Sequence, residues 1–508
     1  MAAEPNCRWQ QKLLQSLAVI VPVLVAIALR VPFLESRSMW YDEASSWQVA
    51  SFPVTELFYS CTRNVHLPLY YLVLKSWVFM WGDSVLALRS FSLLCGAGAA
   101  GGMSMLAIEC ARQIGIDRKI PMWWFGMFSG MLVAINAFQI GAAIEVRMYA
   151  MGTLLSVLSA WLLLRIIGGH RSWKYWIGWT VSCSLLTYTH HHCLFLVASG
   201  FLFLFAYAVE HESDFKLLRW TTCSAILVGV LYIPGARLLI QQARRVRQNY
   251  WTEPFSIELV ARTFGSFVSP VIDWRFFDIG AIVAIGFAVI AVFLIRQRQP
   301  PEVLAVTLGW LPMLMAALVT FTVAKVWEPR FFRFSELFLL LAMALAWAKI
   351  AINLRHFSIG AMGILTAMTF VAIGYWRDRE IPTRPGMQEA VRRIVEQAEP
   401  GSLVVASSNL HYFPAKYYLR NQTAIELRIM ETSTEEFWGD HLIRNSDVID
   451  NQDLRSKLSG GFWLLGHSPV ERELRGIGEV KVIDDFKCEY DIGSSPPWTV
   501  YASKLVGD

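Results

Sequence analysis

The chain is divided by runs of roughly twenty mainly apolar residues, and a run of that length crosses the ~30 Å hydrocarbon core of a bilayer as a helix. Such runs fall at 13–33, 85–110, 120–140, 149–167, 173–188, 193–209, 217–236, 279–295, 303–323, 334–351 and 357–375, eleven in all. Of the 508 residues 55% are hydrophobic and 17% charged, less charge than a soluble domain of this size carries. The pattern predicts an α-helical polytopic membrane protein. Arg8 and Lys12 are the basic residues before the first run, and no small-residue cleavage site follows it. Residues 13–33 therefore read as a retained first span and not as a removed signal peptide.

Short loops set the expected orientation. Arg8 and Lys12, then Arg112, Arg118 and Lys119, then Arg165, Arg171 and Lys174, then Lys216 and Arg219, then Arg296 and Arg298, then Lys349 and Arg355 occupy alternate connections, which the positive-inside rule places in the cytoplasm. The segment holding Asp42 and Glu43, the connections 139–147 and 325–333, the long loop 237–278 and everything after Trp376 then face outward. That long loop carries Arg237, Arg244, Arg245, Arg247 and Arg262, a basic cluster on the outer side that asks for an anion. The net charge of +5 is spread between apolar runs and gathers on no single face or tail, so nucleic acid is not an expected partner.

The stretch "HLPLYYLVLKSWVFMWG", residues 66–82, is apolar but short and has Lys75 in its middle. Counted as a span it would invert every later loop, so it reads as a helix at the outer interface with Trp and Tyr at headgroup level. Cys95, Cys110, Cys183, Cys193 and Cys223 lie in or beside apolar runs without a CxxC, and read as buried small hydrophobes. After Trp376 short strand-like stretches at 400–408, 424–430, 461–468, 479–488 and 498–505 alternate with helical ones such as "GMQEAVRRIVEQAE" and the run 411–420. This predicts a small extracytoplasmic α/β domain over 377–508, beside a membrane domain over 1–376 whose first outward loop spans 34–84. Neither GxGxxG nor GxxxxGK[ST] occurs in that last domain, so nothing there supports nucleotide binding.

Five strings carry the chemistry. In "SMWYDEASSW" Asp42 and Glu43 stand among Trp40, Tyr41 and Trp47 directly after the first span. A carboxylate set against aromatic surface holds a proton more tightly and makes a better base near neutral pH. In "AIEVRMYAM" Glu145, Arg147 and Tyr149 open the fourth span, and ionisable groups at membrane depth tend to line cavities. Arg147 offers a rigid fork suited to phosphate or carboxylate. "YTHHHCLFL" sets His190, His191 and His192 at an outer helix end. Three successive residues diverge around a helix, so a phosphate contact or simple packing suits them better than a three-ligand metal site. "WEPRFFRF" and "RRVRQNYW" add Arg330, Arg333, Arg244, Arg245 and Arg247. Together these cations could neutralise a departing phosphate; singly, each could equally snorkel to lipid headgroups.

The ordered set "WYDEA", "HLPLYYLVLKSWVFMWGDSVLALRSFSLLCG", "EVRMYA", "YTHHHCLFL" and "EPRFF" resembles the GT-C superfamily of integral-membrane glycosyltransferases. It is most similar to the branch of protein O-mannosyltransferase-like and lipid A aminoarabinose transferase-like enzymes, glycosyltransferase family 39. The likeness covers residues 10–375, with Leu67 where the His-Pro-Pro-Leu string usually has its first Pro and Phe331 where Tyr is common. It implies a GT-C fold with outward interface helices in a bacterial cell membrane, and a sugar carried on a polyprenyl phosphate. The acceptor is a hydroxyl of a protein, lipid or glycan on the outer face, and no nucleotide, metal or other cofactor is implied. By the resemblance Asp42 is the general base, with Glu43 supporting or replacing it. His66, Glu145, Arg147, Tyr149, His190, Arg244 and Arg330 face the donor and its phosphate, and the anomeric centre inverts. A transporter or flippase for lipid-linked sugars is the rival; it would show related halves and mid-span ionisable residues. A noncatalytic scaffold, indifferent to Asp42, is the third reading.

Overall fold

The computed structural model describes residues 5–210, 215–249, 252–269, 277–378, 386–431, 440–466, 480–490 and 498–507. Its helices begin with α1 (Pro5–Arg30), α2 (Tyr41–Ser51), α3 (Val54–Arg63), α4 (Pro68–Trp81), α5 (Val85–Ile114), α6 (Met122–Ile135), α7 (Ala137–Ala143), α8 (Tyr149–Ile167) and α9 (Trp173–Thr187). They continue with α10 (His192–Glu210), α11 (Phe215–Leu231), α12 (Ile233–Asn249), α13 (Ile257–Val268), α14 (Phe277–Gln297), α15 (Pro300–Thr322), α16 (Arg333–Ile350) and α17 (Leu354–Asp378). Among the described residues eight helices are long and apolar enough to cross a membrane, and two bent pairs, α6 with α7 and α11 with α12, raise the number to ten. The eleventh expected span, 173–188, is the apolar helix α9 of 15 residues, ~22 Å long at 1.5 Å per residue and so shorter than the hydrocarbon core. The protein is a multi-pass membrane protein.

The chain divides into two compact units: Met1–Pro32, Val65–Tyr70 and Arg89–Asp378 form one, and Phe33–Asn64, Tyr71–Leu88 and Arg379–Asp508 the other. Most of the segment 34–84 thus groups with the C-terminal residues, where the sequence had suggested grouping it with the spans.

In the first unit small residues let helices approach. A Cβ on Gly101 would come 2.7 Å from a Val23 methyl of α1, and one on Gly102 would come 3.1 Å from Val157 of α8. Gly101 and Gly102 of α5 are therefore close-packing points toward two different helices, the device membrane helices use where lipid gives no hydrophobic drive to associate. Both bends have identifiable causes. Between α6 and α7 the axis turns 65° at Asn136, whose Oδ1 accepts from Gln139 N at 2.9 Å and caps α7. Its Nδ2 donates to the Phe267 carbonyl at 2.9 Å. Between α11 and α12 the axis turns 58° just before Pro234, and Tyr188 fills the break: its hydroxyl donates to Leu231 O at 2.7 Å and accepts from Gly235 N at 3.3 Å. Cys95, Cys110, Cys183 and Cys193 are buried as expected, whereas Cys223 is exposed on α11.

The second unit is built on a six-stranded sheet of β1 (Leu403–Ala406), β2 (Glu426–Met430), β3 (Val448–Ile449), β4 (Phe462–Gly466), β5 (Val480–Tyr490) and β6 (Trp498–Gly507), in the order β3-β2-β1-β4-β6-β5. Strands β3, β2, β1 and β4 run parallel, and β6 and β5 add antiparallel. The five expected strands are present; β3, two residues long, has too little pattern to be read from sequence. Alternation buries Val404, Trp463, Leu465 and Val500 with α18 (Gly386–Gln397) and α19 (Asn409–Leu419), and Leu403, Val405, Phe462 and Leu464 on the other face with Leu454 of α20 (Asn451–Lys457). Helix α2 packs on α19, with Tyr41 edge-on to Phe413 at 5.7 Å and Trp47 edge-on to Tyr417 at 5.1 Å.

Candidate active site

The bend at Asn136 ends α6 early and sends the chain through α7 into Glu145, Val146 and Arg147 before α8 begins. All three are buried. Arg147 donates from Nη2 to the Nε2 of His66, 3.1 Å away, in the connection that precedes α4. An arginine only donates, so this geometry makes His66 Nε2 the acceptor and puts the ring proton on Nδ1. The His66 carbonyl accepts from Gln242 Nε2 at 3.3 Å, and Gln242 Oε1 lies 2.6 Å from His191 Nε2. A chain of polar contacts thus runs from Arg147 through His66 and Gln242 to His191.

A second group adjoins it. Tyr149 packs against His190 with the rings tilted and their centres 5.7 Å apart, and His190 packs on Phe331 at 4.9 Å, the neighbour of Arg330. Burial holds the His190 imidazole well below the usual histidine range, and the nearby His192, His191, His66 and Arg147 push it the same way. It is a neutral ring. Arg333 lies over both Tyr149, at 4.9 Å, and Phe138, at 5.0 Å, with its Nη1 3.7 Å from Glu145. Gln139 donates to the Arg333 carbonyl at 2.9 Å and to Glu336 at 2.7 Å. Arg330 pairs with Glu328 at 3.7 Å, and burial raises the Glu328 carboxyl above the usual range despite that guanidinium. The arrangement concentrates cation and hydrogen-bond donors at helix ends walled by aromatic rings, an environment suited to a partly desolvated anion.

Asp42 and Glu43 belong to the second unit, in the first turn of α2. Their surroundings differ. Glu43 is 1% exposed and its Oε2 accepts from Trp40 N at 3.3 Å, satisfying one of the open donors at its own helix start. Asp42 is half-buried, and its backbone carbonyl accepts from Ser46 Oγ at 2.8 Å.

Of the expected donor residues, His66, Glu145, Arg147, Tyr149, His190 and Arg330 fall in this polar and aromatic group of the first unit. Arg244 does not join it: the side chain is exposed on α12, and residues two apart on a helix, as Arg244 and the buried Gln242 are, point different ways. Sequence reasoning missed Gln139, Gln242 and Glu336. A polar side chain inside an apolar run is a legible signal for Gln139 and Glu336, whereas Gln242 lies in a polar stretch and had none. Among the described residues no cluster of three His, Cys, Asp or Glu is arranged to hold a metal ion.

The chain has the GT-C fold, shown by its likeness to solved structures. Solved structures share it over 81–96% of the chain. ArnT from Cupriavidus metallidurans in the apo state matches with a TM-score of 0.60 at 14% identity, covering 96% of this chain and 97% of that one. The same protein bound to undecaprenyl phosphate matches with a TM-score of 0.58 at 14% identity, covering 95% and 97%. The Archaeoglobus fulgidus oligosaccharyltransferase in the apo form matches with a TM-score of 0.50 at 12% identity, covering 81% of this chain and 64% of that one. No protein-family sequence model matches the chain, and no curated protein is similar to it in sequence.

Proposed function

We propose that the protein is a membrane glycosyltransferase that moves a sugar from a polyprenyl-phosphate carrier to an acceptor hydroxyl on the outer face of the membrane, with inversion at the anomeric carbon. The observation that carries this reading is the fold shared end to end with a protein whose structure holds undecaprenyl phosphate. The buried cationic and aromatic group around Arg147 supports it as the place for the donor phosphate. Arg147, His66 and Arg330 supply charge and hydrogen bonds to that phosphate, while Tyr149 and the neutral His190 wall it off from water. Glu145 orients Arg333, and Arg244, exposed on α12, is left out of the phosphate group. Asp42 takes the proton of the acceptor hydroxyl as its oxygen bonds to the anomeric carbon. The bond from that carbon to the phosphate oxygen breaks on the opposite side, and the polyprenyl phosphate leaves with the electron pair. A general base of this kind commonly supplies 10²- to 10⁴-fold in rate.

The half-buried Asp42, beside a Glu43 committed to its own backbone, supports Asp42 as that base. The test is incubation of the purified protein in lipid with radiolabelled sugars on polyprenyl phosphate. Transfer, or slow donor hydrolysis, is expected. Donor binding without turnover would favour a carrier for lipid-linked sugars instead.

A further inference from the structure

Helix α2, which carries Asp42, is fixed at several points by the remainder of its own unit. At its entry Met39 N donates to Tyr418 Oη at 2.7 Å, and Met387 N donates to Ser38 Oγ at 3.2 Å. At its exit the Nζ of Lys75 donates to the carbonyls of Ala50 and Phe52, at 3.2 and 2.8 Å, satisfying acceptors that the helix end leaves open. Along its side Trp47 Nε1 donates to Asp83 Oδ2 at 3.0 Å.

Asp83 is the joint. The same oxygen accepts from Arg420 Nε at 3.0 Å, its second oxygen lies 3.4 Å from Arg420 Nη2, and its carbonyl accepts from Tyr417 Oη at 2.8 Å. The Arg420 guanidinium lies 4.0 Å from the centre of the Tyr417 ring, which is the ring that Trp47 meets. Gly82, at φ +79°, ends α4 and turns the chain so that Asp83 follows at once; a residue with a Cβ is strained there. Helix α19 therefore has two dedicated faces. Ala415 and Leu419 pack on the sheet, while Phe413, Tyr417 and Arg420, at spacings of four and three, meet α2 and Asp83.

We infer that α19 and Asp83 form a latch that positions the base-bearing helix, with Trp47, Asp83, Tyr417 and Arg420 as positioning residues for Asp42; this rests on the glycosyl-transfer reading above. Such a latch explains why the chain returns, more than three hundred residues later, to the segment that follows its first span. A base displaced by about an ångström loses on the order of 10²-fold in rate without any loss of donor binding.

The test uses the full chain in lipid nanodiscs, with whichever polyprenyl-phosphate sugar the wild type turns over as probe. In Trp47→Phe, Asp83→Asn and Arg420→Ala, kcat falls by roughly ten- to a hundredfold while KM for the donor stays within about twofold. Arg420→Lys recovers part of the loss, and on an Asp42→Asn background none of these changes costs further rate. Folded variants with unchanged kcat, a loss confined to KM, or losses that multiply with Asp42→Asn overturn the inference. Hydrogen exchange of residues 41–51 gives a readout without turnover: faster exchange in Arg420→Ala is expected, and unchanged exchange overturns the latch. A wild type that transfers no sugar from any such donor defeats the function proposed above and Asp42's role as a base with it, while the exchange result still decides whether α19 holds α2.

Discussion

Arg147 and His66, 81 residues apart in sequence, meet nitrogen to nitrogen at 3.1 Å. The contact makes His66 Nε2 the acceptor of an Arg147 N–H, and the proposed function puts the donor phosphate beside this pair. Replacing Arg147 by Lys keeps the charge and loses the fork. We expect donor affinity to fall at least ~10-fold in Arg147→Lys, about 1.4 kcal/mol, and further in Arg147→Ala. Equilibrium binding of the radiolabelled donor checks this, and unchanged affinity in both variants would remove Arg147 from the donor site.

Acid should unfold the protein through its buried imidazoles. The His190 ring is lowered well below its ordinary value of 6.5, so below pH 6.5 the unfolded chain binds a proton that the folded chain refuses. Stability is therefore complete above that pH and falls as pH drops towards the folded value, by up to ~1.4 kcal/mol per pH unit for this one group. Melting temperature in detergent, followed from pH 7.5 to 5, should decline for the wild type and decline less for His190→Gln. Parallel curves would contradict the assignment.

Asn136 holds the first bend from both sides. Asn136→Ala removes the cap of α7, about 1 kcal/mol, and leaves the Phe267 carbonyl without its donor, another ~1–3 kcal/mol if that oxygen is shut away from water. A melting temperature lower by several degrees is expected, together with weaker donor binding, because Arg147 follows the bend. Wild-type stability would show that the bend is fixed elsewhere.

Cys61 lies on α3, outside the spans, and burial pushes its thiol up to about 12. It should resist alkylation by a maleimide at pH 8 in the folded protein and react fully in denaturant. Rapid modification of the native protein at this residue, located by peptide mapping, would mean that α3 opens readily.

The membrane helices were legible because hydrophobic length is a local property, and the strands of the C-terminal sheet because alternation is local too. What stayed hidden depends on partners far along the chain. Asn136 bends a span through the Phe267 carbonyl, 131 residues away, and Tyr188 occupies the other break from 43 residues away. Lys75 looked misplaced in an apolar stretch; it caps α2, a role that only the folded chain shows. The grouping of 33–64 and 71–88 with the C-terminal residues rests on contacts such as Asp83 with Arg420, 337 residues apart. In the candidate site the residue types were readable from their strings. The contact of His66 with Arg147, the place of Gln242 between His66 and His191, and the different burial of Asp42 and Glu43 were not.

Asp42 as the base is the central claim, and a direct comparison of Asp42→Asn with Glu43→Gln tests it. With sugar transfer from the polyprenyl-phosphate donor as the measurement, Asp42→Asn should lose about 100-fold or more in kcat, as removal of a general base does. Glu43→Gln, whose amide oxygen can still accept from Trp40, should lose far less. Equal and mild losses in the two variants would contradict the account.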